Sequence, residues 1–122
     1  MRVTTRRGFA ALIAAAASML AVGAASAQVV IQEHAMPAPI VETIPAAPAA
    51  DYHWVPGHWV WRPRLGQWVW NRGHYVVGVV PAMPAAVVET VPVSPGAGWY
   101  WVRGHYVWER GGWAWHRGLW VR

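Results

Sequence analysis

One phrase recurs four times along the 122-residue chain: an aromatic, one residue, Trp, two residues, Gly, one residue, Trp or Tyr, then Val. It stands at Tyr52-His53-Trp54-Val55-Pro56-Gly57-His58-Trp59-Val60, then from Trp68 to Val76, from Trp99 to Val107 and from Trp113 to Val121. A repeat this short cannot bury an apolar face alone, so each copy must be one supersecondary unit paired with or stacked on the next. A longer duplication contains it, since Ala35-Met36-Pro37-Ala38 through Val41-Glu42-Thr43 to Trp54 returns as Ala82-Met83-Pro84-Ala85 through Val88-Glu89-Thr90 to Trp101, an offset of 47 residues. Each long copy is therefore a Pro/Ala/Val-rich lead-in followed by a Trp-rich block.

The N-terminus reads as a targeting segment. Arg2, Arg6 and Arg7 precede an apolar run from Phe9 to Ala24 and then Ala25-Ser26-Ala27, which predicts a helical secretory signal peptide over residues 1–27 and a mature chain beginning at Gln28. Thr5-Arg6-Arg7-Gly8-Phe9 resembles a twin-arginine signal, but Ala10 and Ala11 stand where Leu and Lys are usual, so both export routes stay open. The expected location is periplasmic or secreted. With no Cys, the chain has no disulfide, no thiolate metal site and no lipid attachment point, and membrane contact is at most peripheral. Past Ala27 there are seven Arg against one Asp and four Glu, a net +2 with no Lys, too weak a balance to imply nucleic acid.

The expected domain layout is linker 28–51, Trp block 52–79, linker 80–98 and Trp block 99–122. The lead-ins hold Pro37, Pro39, Pro45 and Pro48, then Pro81, Pro84, Pro92 and Pro95, which removes too many amide donors for a helix or a central strand. They read as extended spacers, with a docking peptide for a partner as the alternative.

Within the phrase, Pro56-Gly57, Arg72-Gly73, Arg103-Gly104 and Arg117-Gly118 look like tight hairpin turns, with Gly57, Gly73, Gly104 and Gly118 supplying a positive φ. That register pairs Trp54 with Trp59, Tyr52 with Trp61, Trp70 with Tyr75, Trp101 with Tyr106, Trp99 with Trp108 and Trp115 with Trp120. Arg62-Pro63-Arg64-Leu65-Gly66 and Glu109-Arg110-Gly111-Gly112 then join successive hairpins. The fold class expected is all-β: two tandem antiparallel hairpin meanders of about four short strands each.

Alternation along the strands separates two faces. One carries Tyr52, Trp54, Trp59, Trp61, Trp68, Trp70, Tyr75 and Val77 in the first block and Trp99, Trp101, Tyr106, Trp108, Trp113, Trp115 and Trp120 in the second, which accounts for all eleven Trp. The other carries Val55, Val60, Val69, Val76, Val102, Val107 and Val121 among His53, His58, His74, His105 and His116. The aromatic face has three readings: a core closed by packing one block on the other, an exposed platform for sugar rings or bases with turn Arg residues meeting acidic groups, or an interfacial anchor at membrane headgroups.

Catalytic parts are scarce. Past the signal, Asp51 is the only Asp and Ser94 the only Ser, so no nucleophile, base and orienting acid can be assembled and a non-enzymatic role is expected, with no cofactor. His58, His74 and His105 each follow the phrase Gly and are the weak candidates for divalent metal, but His58 and His74 would lie roughly 10 Å apart by strand spacing. The competing reading is that such a His packs its ring against a neighbouring Val.

Tyr52-His53-Trp54-Val55-Pro56-Gly57-His58-Trp59 and Trp99-Tyr100-Trp101-Val102-Arg103-Gly104-His105-Tyr106 resemble the WxxGxW (YXWGXW) repeat family of exported bacterial proteins, over both Trp blocks. Tyr75 and Tyr106 depart from the pattern by replacing its second Trp. The resemblance implies an exported bacterial repeat protein and carries over no activity or site residue. The spacing is similar, less closely, to the Trp-hairpin repeats of choline-binding modules. The function expected is binding or scaffolding in the bacterial envelope, with a glycan or peptidoglycan strand as the ligand of the aromatic face. The alternatives are a purely structural repeat with a Trp core and a histidine-based metal binder.

Overall fold

A computed structural model describes residues 31–122, so the expected signal peptide and cleavage site lie outside the described residues. The described chain is all-β, with eight short strands: β1 (Tyr52–Val55), β2 (His58–Arg62), β3 (Gln67–Asn71), β4 (His74–Val77), β5 (Tyr100–Val102), β6 (His105–Glu109), β7 (Gly112–His116) and β8 (Leu119–Val121). Four strands per block are as expected. Their order is not: β1 pairs antiparallel with β4 and β2 with β3, and in the second block β5 pairs with β8 and β6 with β7.

Each block is thus one long hairpin rather than a meander, and its single turn is the segment expected to join two hairpins. In the first block the chain reverses over Pro63–Gly66, where the Leu65 and Gly66 amides donate to the Arg62 carbonyl at 3.0 and 2.9 Å and Gly66 takes φ +63°. In the second, Arg110 (φ +50°) and Gly111 (φ +76°) make a two-residue turn with both central residues left-handed, the geometry that matches strand twist. Gly57, Gly73, Gly104 and Gly118 are not turn residues and have no positive φ. They lie where the ladder of each long hairpin is interrupted: Val55 faces His74 before the break and His58 faces Asn71 after it, so Pro56-Gly57 and Arg72-Gly73 cross the gap opposite one another.

The aromatic matching changes accordingly. Trp54 faces Tyr75, Trp59 faces Trp70 and Trp61 faces Trp68; in the second block Trp101 faces Trp120, Tyr106 faces Trp115 and Trp108 faces Trp113. The expected partners, Trp54 with Trp59 and their equivalents, lie on successive strands of one arm of the long hairpin instead. All six observed pairs meet edge to face with centroids 4.9–5.5 Å apart, the arrangement favoured by the ring quadrupole.

Of the three readings of the aromatic face, a core closed by packing one Trp face on the other is not what forms. The core consists of Val55, Val60, Val102 and Val107 with His58 and His105, together with the rings of Trp61 and Trp101. The two hairpins meet through β2 and β6, so half of the Val/His face is buried and the aromatic face turns toward the lead-ins. The early part of the first lead-in ties the blocks from outside: Trp101 donates its amide to the Gln32 carbonyl at 2.8 Å and receives the His34 amide on its own carbonyl at 3.0 Å. Pro81 occupies the place of His34 in the second long copy and has no amide to repeat that bond.

Candidate functional site: two aromatic faces and their straps

Each lead-in runs extended along the aromatic face of its own block as a strap. In the first copy Trp68 Nε1 donates to the His34 carbonyl (2.7 Å), Trp59 Nε1 to Ala38 (3.0 Å), Trp70 Nε1 to the Glu42 carboxylate (2.8 Å) and the Tyr75 hydroxyl to Pro45. In the second copy Trp113 Nε1 donates to Pro81 (2.9 Å), the Tyr106 hydroxyl to Ala85 (3.3 Å), Trp115 Nε1 to Glu89 (2.5 Å) and Trp120 Nε1 to Pro92 (3.1 Å). All four strap positions are displaced by 47 residues between copies. The prolines keep the straps extended and leave their carbonyls free to accept, and the indole and phenol donors of the hairpin take them up. The residues between the blocks are spacers only in part.

Glu42 and Glu89 are the polar centres of this contact, and sequence reading passed over their role. Besides its Trp, Glu42 accepts the Gly73 amide at 3.1 and 3.2 Å, and Glu89 accepts the Gly118 amide at 2.9 Å. Those amides are freed by the break in the ladder, and a charge-assisted bond satisfies each. The available signal was the recurrence of Val-Glu-Thr inside apolar, proline-rich lead-ins that hold few other acids.

The phrase glycines leave room for the rings. A Cβ on Gly57 would run into the Trp70 ring and the Glu42 carboxylate, one on Gly73 into Trp54, one on Gly104 into Trp115 and one on Gly118 into Trp101. Across each break, then, a Trp ring from the facing strand occupies the space a side chain on the glycine would need. The recurrence of Gly was the right signal attached to the wrong cause.

The histidines that follow three of these glycines also complete the break. His58 Nδ1 bonds the Pro56 carbonyl at 3.0 Å, His74 Nδ1 the Arg72 carbonyl at 3.3 Å and His105 Nδ1 the Arg103 carbonyl at 3.2 Å, each reaching two residues back to an acceptor the ladder does not use. Since a carbonyl can only accept, Nδ1 carries the proton and Nε2 is left as an acceptor. In His58 and His105 that second nitrogen crosses to the other block: the Trp108 amide donates to His58 Nε2 at 3.2 Å and the Trp61 amide to His105 Nε2 at 3.3 Å. This reciprocal exchange relates the hairpins by an approximate two-fold. Burial pushes the pKa of both rings below its ordinary value, as does His74 near His58 and His116 near His105, against a smaller upward pull from the accepting carbonyls.

Of the three metal candidates, His58 and His105 have both ring nitrogens engaged and His74 is exposed, and no group of three His, Cys, Asp or Glu side chains is placed to hold an ion among the described residues. Asp51 is exposed, and the Ser94 hydroxyl bonds the Gly96 backbone. Comparison with models of known protein families, with curated proteins and with solved structures found no match.

Proposed function

We propose that this chain is an exported, non-enzymatic repeat protein that serves the bacterial envelope by binding or scaffolding, with the scaffold reading ahead of glycan capture by the Trp rings. The observation that carries it is the duplicated strap: each aromatic face already holds an extended proline-rich segment through four side-chain donors. Flat apolar rings with donors at their edges suit an extended chain rich in free carbonyls, the same physics by which aromatic grooves read polyproline segments. A glycan strand would have to displace a strap before it could stack on these rings, whereas the exposed turn residues Arg64 and Arg110 remain open to acidic polymer.

The test combines Trp emission with sedimentation of purified peptidoglycan at low salt. Scaffolding predicts blue-shifted emission that added glycan leaves unchanged, with the protein staying in the supernatant. Retention on the polymer with a shift in emission would make the aromatic faces glycan platforms.

A further inference from the structure

The geometry points to the cleft on the approximate two-fold as a binding site for a small aromatic carboxylate. The cleft holds about 310 Å³ and takes equivalent residues from both copies: Met36 and Met83, Trp59 and Tyr106, and the Trp70 and Trp115 rings beside Gly57 and Gly104. That volume lies at the lower end for ligand pockets and suits a body of roughly a dozen heavy atoms.

What the cleft can recognise follows from which polar atoms on its walls remain unused. The Trp59, Trp70 and Trp115 indole N–H groups and the Tyr106 hydroxyl are all committed to the straps. Both nitrogens of His58 and of His105, which also border the cleft, are committed to backbone. The side-chain walls therefore offer carbon, sulfur and ring faces, plus one cation. Arg103 is exposed at the edge of the cleft and takes part in no ion pair among the described residues, where the only such pair joins His116 and Glu109. The first copy has Pro56 at the corresponding place in the repeat, so the positive charge stands on one side of an otherwise matched cleft.

Aromatic and thioether walls favour a flat apolar body that can stack and slide into an irregular gap. A single guanidinium, planar and with paired donors, favours a carboxylate on one end of that body. A neutral ring would gain nothing from Arg103, and a dianion would leave one charge against apolar walls without a partner. The cleft shares its walls with the straps but uses none of the donors that hold them, so a failure to bind naphthoate would leave the scaffold reading untouched.

Isothermal titration of the full mature protein with 2-naphthoate is the test, with 2-naphthalenemethanol as the neutral match and octanoate as the flexible one. One site per chain is expected, with Kd on the order of 10–100 μM for a ligand of this size. Arg103→Gln, at an exposed position, should keep the native circular dichroism and weaken naphthoate roughly tenfold, the worth of one charge-assisted contact. Arg64→Gln, which removes a charge from the distant β2–β3 turn, should change nothing. No heat at millimolar naphthoate, equal binding of the alcohol, unchanged binding by Arg103→Gln, an equal loss in Arg64→Gln, or tighter binding of octanoate would each overturn the assignment.

Discussion

The two hairpins are copies that differ most where they reverse. The first turns through Pro63-Arg64-Leu65-Gly66 and the second through Arg110-Gly111, two residues shorter, so the repeat offset is 47 before the turn and 45 after it. Everything on the strands survives that change: aromatic still meets aromatic, and the break falls at the same distance from the turn. Even the side-chain link from the turn end of one strand to the break end of the next is kept in kind with different chemistry, as Arg62 Nη2 donates to Asn71 Oδ1 at 3.2 Å in the first copy and Glu109 meets His116 at 3.3 Å in the second. The turn is replaceable because nothing packs on it. The strap and the phrase glycine are not, because the strap carboxylate satisfies an amide that the interrupted ladder sets free and the glycine leaves room for the facing Trp ring; the histidine is kept at three of the four breaks and gives way to Leu119 at the fourth.

The contrast between turn glycines and phrase glycines gives the largest expected effect. Gly104→Val drives a branched side chain into the Trp115 ring and toward Glu89, and should cost about 3 kcal/mol or more as an overpacking change. Gly111→Ala meets open space and has only its left-handed φ against it, about 1 kcal/mol. Urea denaturation of both variants checks the order; a costlier Gly111→Ala would return the structural role to the turns.

Much of this architecture was readable from the chain and some was not, for definite reasons. Period-2 alternation sorted Trp and Tyr from Val and His, and that division stands. The turn assignment failed because Gly has two uses, positive φ and absence of a Cβ, and the phrase shows only that Gly recurs. Nesting failed with it: Pro56-Gly57 is a good local turn signal, but closing there would leave unused the three edge-to-face pairs of the first long hairpin. The strap contacts were out of reach because an acceptor carbonyl carries no side-chain signature; only Glu42 and Glu89 could have marked them.

Removing the carboxylates separates the copies more finely. Glu89→Ala frees Trp115 Nε1 and the Gly118 amide at once, and Glu42→Ala does the same to Trp70 and Gly73. Each should cost about 2–3 kcal/mol, as expected for bonds to a charged group with partners left half-buried. Glu89→Ala should be the worse, since its bonds of 2.5 and 2.9 Å are shorter than the 2.8 and 3.1 Å of Glu42. Thermal melts with Trp emission measure both; a loss below 0.5 kcal/mol, about the scatter of ordinary surface changes, would mean the straps do not depend on these acids.

The histidine exchange predicts an acid-sensitive junction between the hairpins. His58 and His105 must be neutral to accept the opposite amide, and their native pKa lies below the unfolded value of about 6.5. The unfolded chain therefore binds more protons below that pH, so this stability is complete above about pH 6.5 and is lost as pH falls through the lowered native values. The melting temperature should drop on going from pH 7 to pH 5. The double variant His58→Gln/His105→Gln, which offers an acceptor that does not titrate, should flatten the decline, and an unchanged slope would place the sensitivity on other residues.

The smallest effect concerns two Trp residues with opposite accounts. Trp61 is 6% exposed, wedged against His34 and Trp68, and its Nε1 has no partner among the described residues. Such an orphan donor costs about 1–3 kcal/mol, which offsets much of what the ring contributes by burial. Trp61→Phe removes the donor together with part of the ring, so loss of packing and relief of the orphan oppose each other and the net change should stay within about 1 kcal/mol. Trp70→Phe makes the same truncation at a half-buried ring, but its N–H binds the Glu42 carboxylate, so the substitution should cost about 2 kcal/mol. Paired urea midpoints decide it: equal losses would show that the Trp61 donor is satisfied in solution, and the difference between the two rings would disappear.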